Sequence, residues 1–523
     1  MKKLFSKENL LVLTFALIAL HPLYEIDWCF NSFLGMPIAV RLSTVINFIV
    51  LPLLVLIIFF LFEKDKKKYK WFILYCVVFA IYFYFHLKSA STLIEDIHLS
   101  YTFIYYPKDE IVYTITMLLP LVYLYIFNMS DLREEIIKKI SVIVSFISSV
   151  LIIISNIFQF GNTTYEVEMK GNIFSWFSLP FDAKDFHPRN FATCFFFKEG
   201  NTMGILLLMF LVFQYYFLLK EKDIKNKIFI GISIITTSIS MFIIGTRVAA
   251  YGSIIVPVVF FVIYYIYIAL KKEKVQLLFL AYLLGTTIIC SCIMPYSPAH
   301  QNQLFDASDY STLKIEDSYR ELMRNSIHSG AEGFEPFSPA WVDYYVFEFE
   351  EYKFLVNVTP SIYYEYYYDY KVDPKFWVDL VFDYELEDRI NTRQVETIFY
   401  QYKWKNYMTP IQKMLGFTFG IFMRGGINIE RDFIQQFYSY GYLGFPLVMG
   451  PWIILFIYIV YLFIKSLIKK KLTMFELISL TALGLGVVSG IISGHTFDEL
   501  TTSMIISLIS VMSIKRMKEG LSE

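Results

Sequence analysis

Residues 201–219 read NTMGILLLMFLVFQYYFLL, with a lysine following at 220. No side chain in the run is charged. Coiled as a helix at about 1.5 Å per residue, it nearly spans a hydrocarbon core of about 30 Å. Apolar residues fill every face instead of alternating, which excludes a barrel strand. Inside lipid only helices and closed barrels satisfy their own backbone, so the run predicts a membrane-spanning helix.

The same reading extends over the chain. Apolar runs fall at about 9–24, 42–62, 71–87, 111–128, 140–160, 201–219, 228–245, 248–270, 275–295, 433–464, 473–493 and 500–514. Of the 523 residues, 56% are hydrophobic and 18% charged, against about a quarter charged in soluble domains. Mean hydropathy is +0.51. Met1-Lys2-Lys3 precedes the first run without a small-residue cleavage site, which reads as a retained first helix. The expected fold is an all-α integral membrane protein of about twelve transmembrane helices with a large extracytoplasmic loop domain before the tenth. Helices 1–9 fill residues 1–295, the loop domain 296–432, and helices 10–12 residues 433–523.

Charge sets the topology. Lysine and arginine cluster at the N-terminus, after the second, fourth, sixth, eighth and tenth runs, and at the C-terminus, for example Lys64–Lys70 and Lys469–Lys471. Under the positive-inside rule both termini are cytoplasmic. The outward segments are then about 25–41, 88–110, 161–200, a tight turn at 245–247, 296–432 and 494–499. The net charge of −1 says nothing about partners. The five cysteines lack metal or disulfide spacing and read as small hydrophobes.

No cytoplasmic connection exceeds about a dozen residues. The chain has no phosphate-binding loop, dinucleotide fingerprint or HExxH zinc motif. Neither nucleotide hydrolysis on a cytoplasmic domain nor nucleic-acid binding is expected, and no metal or cofactor is called for. Chemistry is expected at the outer face, where polar residues near a membrane mark function.

Five groups stand out. Arg247 follows Gly245-Thr246 in the outer turn. It could snorkel to the interface, but its planar fork of donors suits a phosphate. Glu430-Arg431-Asp432 precedes the tenth run, with Gly441 and Gly444 on the same helical stripe. This suits either a charged helix start with a packing seam or a reactive carboxylate. Arg389 and Arg393 stand one turn apart on an outer helix, as an ion-paired face or an anion site. Asn201 opens the sixth run, as a cap or a contact. His495-Thr496-Phe497-Asp498-Glu499 fills a short outer turn, as an interface or a proton carrier. Trp341, Trp377, Tyr366 and Tyr367 read as packing in the outer domain, with sugar stacking as the alternative.

These motifs occur in a set order. Asn201-Thr202-Met203-Gly204 comes first, then Gly245-Thr246-Arg247, then Arg389 and Arg393 ahead of Lys413-Met414-Leu415-Gly416. Glu430-Arg431-Asp432 with Tyr440-Gly441-Tyr442-Leu443-Gly444 comes last. Together they resemble the O-antigen ligase and O-antigen polymerase superfamily over roughly residues 195–450. The resemblance implies a GT-C-like membrane glycosyltransferase at the outer face of the bacterial cytoplasmic membrane. It implies an undecaprenyl-diphosphate-linked oligosaccharide donor, a glycan or lipid-linked acceptor, and a chain-length regulator or other polysaccharide-assembly proteins as partners. Ligases carry His-Asn where this chain has Glu430-Arg431. That departure points towards polymerisation or transfer of capsular or cell-wall glycans. In this reading Arg247, with Arg389 or Arg393, holds the diphosphate without a metal, and Arg431 and Asn201 contact substrate. The base is Glu430, then Asp432, then His495. The rival reading is a transporter or flippase of lipid-linked oligosaccharides. That class usually has ionisable residues deep in the bundle and no large outer domain.

Overall fold

The computed structural model describes residues 6–28, 41–130, 133–165, 167–177, 187–271, 274–306, 314–356 and 363–522. Cys29 and most of the expected outer segment 25–41 lie outside them. Among the described residues, eleven helices are long and apolar enough to cross a membrane. A twelfth forms if Lys7–Ala19 and His21–Trp28, bent by 57°, count as one. The protein is an all-α multi-pass membrane protein. A two-stranded antiparallel ribbon, Asn162–Thr163 with Thr193–Phe195, is the described sheet structure.

The chain divides into two compact units that do not follow its order: residues 1–64, 116–307 and 452–523 form one, and residues 65–115 and 308–451 the other. The Gly200–Lys220 helix is the hub of the first, with 94% of its apolar window buried in protein. Its all-round apolarity is the reason, because a helix without a polar face gains by burying every side. It packs against Ile224–Ile244, Arg247–Lys271 and Met474–Ile492. Small residues set the spacing. A Cβ on Gly204 would lie 2.9 Å from the Ala249 Cβ, and one on Gly486 2.8 Å from the Met209 sulfur. The buried Gln214 amide reaches the Ser141 carbonyl at 2.9 Å and the Ser233 and Thr237 hydroxyls at 3.2 Å.

The second unit joins the Lys66–Asp96 helix to the helices between residues 314 and 431, the segment expected to face outward, whose core is aromatic. Trp341 and Trp377 are buried there, as packing requires, while Tyr366 is exposed. Lys403 is fully buried. Its three N–H groups donate to Asp373 Oδ2 (2.8 Å), the Ile97 carbonyl (2.8 Å) and the His98 carbonyl (3.1 Å), and the Tyr407 ring lies 4.6 Å away. Burial pushes its ammonium pKa down, and Asp373 opposes that. The lysine thereby ties the outer helices to the end of Lys66–Asp96.

The expected tenth run, 433–464, is not one helix. Asp432–Val448 and Gly450–Ile468 are separate, and the first is broken at Gly441 (φ 66°, ψ −172°). There two backbones cross at paired glycines. A Cβ on Gly441 would sit 2.5 Å from the Gly416 nitrogen, and one on Gly416 2.3 Å from the Ser439 carbonyl oxygen. The close approach expected at 441 is therefore made to another loop's backbone. Phe417 N–H donates to the Tyr438 carbonyl (2.8 Å) and Thr418 N–H to that of Ser439 (3.1 Å). Tyr82 OH donates to the Tyr440 carbonyl at 2.7 Å, and His86 Nδ1 to that of Leu415 at 2.8 Å. The other His86 nitrogen lies 2.9 Å from Glu110 Oε1, and Glu110 Oε2 accepts the Gly420 N–H at 2.9 Å.

Gly441→Ala should cost more than about 2 kcal/mol, from left-handed strain plus backbone overlap. The check is the thermal midpoint in detergent, and a midpoint equal to wild type would contradict the crossing. Lys403→Met should cost about 3–5 kcal/mol by stranding Asp373, and adding Asp373→Leu should recover much of it. Limited proteolysis of the outer helices would report both variants.

Candidate functional site

Within the first unit, several chain segments bring polar groups to one end of the helices. Gly245 (φ 72°) ends Ile224–Ile244, and Arg247 begins the next helix with its side chain exposed. Gly245 has no room for a side chain, since a Cβ would meet the Ala192 Cβ at 2.6 Å. Its carbonyl accepts from Tyr165 OH at 2.9 Å. Because Gly204 packs on Thr246 and Ala249, the Asn201–Gly204 motif meets the Gly245–Arg247 motif. Asn201 is half-buried in the first turn of its helix.

The same helix start meets the His495 turn. Lys198 donates to both oxygens of Glu499 at 2.7 Å. His495 Nδ1 lies 3.4 Å from Glu199 and 3.6 Å from Asp498. Burial pushes the Glu499 carboxyl up, and Lys198 opposes it. Burial alone would lower the Lys198 ammonium, but Glu499, Glu25 and Glu199 reverse this.

A chain of side chains, buried except for the half-buried Tyr24, adjoins this pair. Tyr24 OH donates to Asn47 Oδ1 (2.8 Å), and Asn47 Nδ2 lies 3.0 Å from His21 Nε2. His21 Nδ1 lies 2.7 Å from Thr501 Oγ1, whose hydroxyl donates to Glu25 Oε2 at 2.9 Å. An amide NH2 only donates, so His21 Nε2 accepts and Nδ1 carries the proton. Every bond then points one way and ends on the Glu25 carboxylate. Asn47 sits in a π-helical turn, Ile46–Val50, and His21 and Glu25 at the bend of the first helix. Such irregular turns recur at functional sites.

The second unit holds the other candidates. Arg393 forms an ion pair with Glu430, both partly exposed. Arg431 is the N-cap of Asp432–Val448, and Asp432 is its buried first residue, where an acid suits the helix dipole. Arg389 is buried and donates to the Leu355 carbonyl at 2.6 Å, within the outer domain. The five sequence groups thus come together as two. Asn201, Arg247 and His495 lie in the first unit with Lys198 and Glu499, and Arg393 meets Glu430 in the second. Among the described residues no group of His, Cys, Asp and Glu has metal-site geometry.

The O-antigen ligase-like membrane protein family matches residues 6–520. The chain belongs to that family. It is thus a membrane protein of a polysaccharide-assembly family, whose kind of chemistry is glycosyl transfer. No curated protein and no solved structure gave a match.

His21, Glu25, Asn47 and Thr501 escaped the sequence reading because each sits inside or beside an apolar run. The positive-inside argument that singles out Arg247 applies equally to Arg41 and Lys198, which also lie on expected outward segments.

Glu499 predicts a pH dependence. Burial raises its folded pKa above the ordinary carboxylate value of about 4.3. Between the two the folded state binds the extra proton, so this contribution to stability falls as pH rises. The thermal midpoint should drop from pH 5 to 8.5 more steeply in wild type than in Glu499→Gln, and parallel curves would refute the assignment.

Proposed function

We propose that the protein transfers or polymerises glycan repeat units from an undecaprenyl-diphosphate-linked donor onto an acceptor hydroxyl. The reaction takes place at the outer face of the bacterial cytoplasmic membrane and supplies a surface polysaccharide. Family membership across residues 6–520 carries this reading. The buried ionisable cluster around Lys198, Glu499 and Glu25 supports it, since an apolar bundle keeps such groups at a cost. Both termini face the cytoplasm, as the alternating basic connections require. Assembly partners act alongside it on the growing glycan.

Three tasks follow from the chemistry. The diphosphate leaving group needs fixed positive charge, which is offered by Arg247 at an exposed helix start of the first unit or by Arg393 beside Glu430 in the second. The acceptor hydroxyl must lose its proton to a carboxylate within hydrogen-bond reach. Glu430 occupies the motif position for that task but shares its charge with Arg393, which weakens it as a base. Glu25 has one oxygen fixed by Thr501, and its other oxygen makes no hydrogen bond among the described residues. The isoprenoid chain lies along the apolar helices.

The test is transfer in purified membranes from a lipid-linked repeat unit, scored by product length. Arg247→Ala should reduce turnover at least about a hundredfold, the usual scale for one stabilising donor. Of Glu430→Gln and Glu25→Gln, the one that removes the base should abolish turnover while the protein stays in the membrane. Wild-type product from both glutamine variants would refute carboxylate catalysis. An unchanged polysaccharide profile in a deletion strain would refute the function itself.

A further inference from the structure

Arg41 is 2% exposed, and among the described residues its Nε, Nη1 and Nη2 are all buried without a hydrogen-bond partner. Its guanidinium carbon lies 4.6 Å from the centre of the Trp28 ring, and no ion pair reaches it among the described residues. Lys198 Nζ lies 5.2 Å from the same ring, but Glu499 already takes its charge. A guanidinium has five donors and no acceptor, and one buried without an anion is costly. Such a group in a native structure calls for an explanation.

The neighbouring carboxylate is unsatisfied in the opposite sense. Asp27 Oδ2 accepts the Ser43 N–H at 2.8 Å, while Oδ1 is buried without a partner among the described residues. Asp27 adjoins Trp28 in sequence, and Ser43 follows Arg41 by two positions, so one hydrogen bond joins the two strips of chain. Arg41 and Asp27 do not neutralise each other, because no ion pair forms between them within the described residues. One ligand that satisfies both must present an anionic oxygen to Arg41 and a hydroxyl to Asp27. Trp28, 40% exposed, adds an aromatic wall of the kind that packs on sugar rings.

We propose that Arg41, Asp27 and Trp28 form a binding site for a glycosyl phosphate, with the phosphate oxygens on Arg41 and a sugar hydroxyl on Asp27 Oδ1. Under the function proposed above, on which this assignment of the ligand rests, the site holds the sugar–phosphate junction of a lipid-linked substrate. The arginine would then be stored strain, relieved by binding.

That strain gives the test two separate readouts. Purified full-length protein in detergent is melted alone and with glucose 1-phosphate, inorganic pyrophosphate, glucose or phosphatidylglycerol. Wild type should gain stability with glucose 1-phosphate, less with pyrophosphate and none with glucose. Arg41→Leu should melt at or above the ligand-free wild type, because a stranded charge is gone, and should lose the ligand response. Asp27→Asn should lose the preference for glucose 1-phosphate over pyrophosphate. A ligand response surviving in Arg41→Leu, a lower ligand-free midpoint in that variant, or no response in wild type would each overturn the site. A response to phosphatidylglycerol alone would overturn the sugar assignment and leave a lipid headgroup site. None of these readouts needs turnover, so the site and the transfer reaction fail independently.

Discussion

A carbonyl released from its helix inside a largely apolar protein must find a donor, because water is not there to supply one. The second unit is organised around that constraint. The break at Gly441 frees the Tyr440 carbonyl, and the end of Pro410–Leu415 frees that of Leu415; Tyr82 and His86, one turn apart on one helix, donate to them. Since a carbonyl only accepts, His86 must keep its Nδ1 proton. Its far nitrogen then meets Glu110, which in turn holds the start of Phe419–Gly425 through the Gly420 N–H. The crossing thus fixes the Nδ1 proton of a histidine and, through that ring, a buried glutamate and a neighbouring helix start.

The main lines of the fold were legible because lipid imposes a length and a composition on each crossing. The Gly245 turn was legible too, since glycine before arginine between two apolar runs leaves room for little else. The split of 433–464 was not. Hydropathy is blind to a glycine whose φ is positive, and Tyr442 to Phe445 keep the run apolar across the break. The compact units likewise cut across the chain order, because long-range pairs such as Lys403 with Asp373 and Ile97 decide them.

The candidate site was half visible. Asn201, Arg247 and His495 lie on short polar interruptions and stood out as such. The chain from Tyr24 to Glu25 was hidden, since single polar residues in an apolar run look like noise until three helices align them. Arg393 and Glu430 illustrate the reverse case, where two groups noticed separately in the sequence turn out to share one ion pair.

The hydrogen-bond chain also has a bearing on biosynthesis. His21 and Thr501 are 480 positions apart, and Lys198 meets Glu499 across 301. A chain inserted into the membrane helix by helix from its N-terminus carries Glu25 without Thr501 for 476 further positions, and Lys198 without Glu499 for 301. The helix that begins at Leu500 completes the polar cluster, so a nascent chain that stops short of it carries these groups unpartnered.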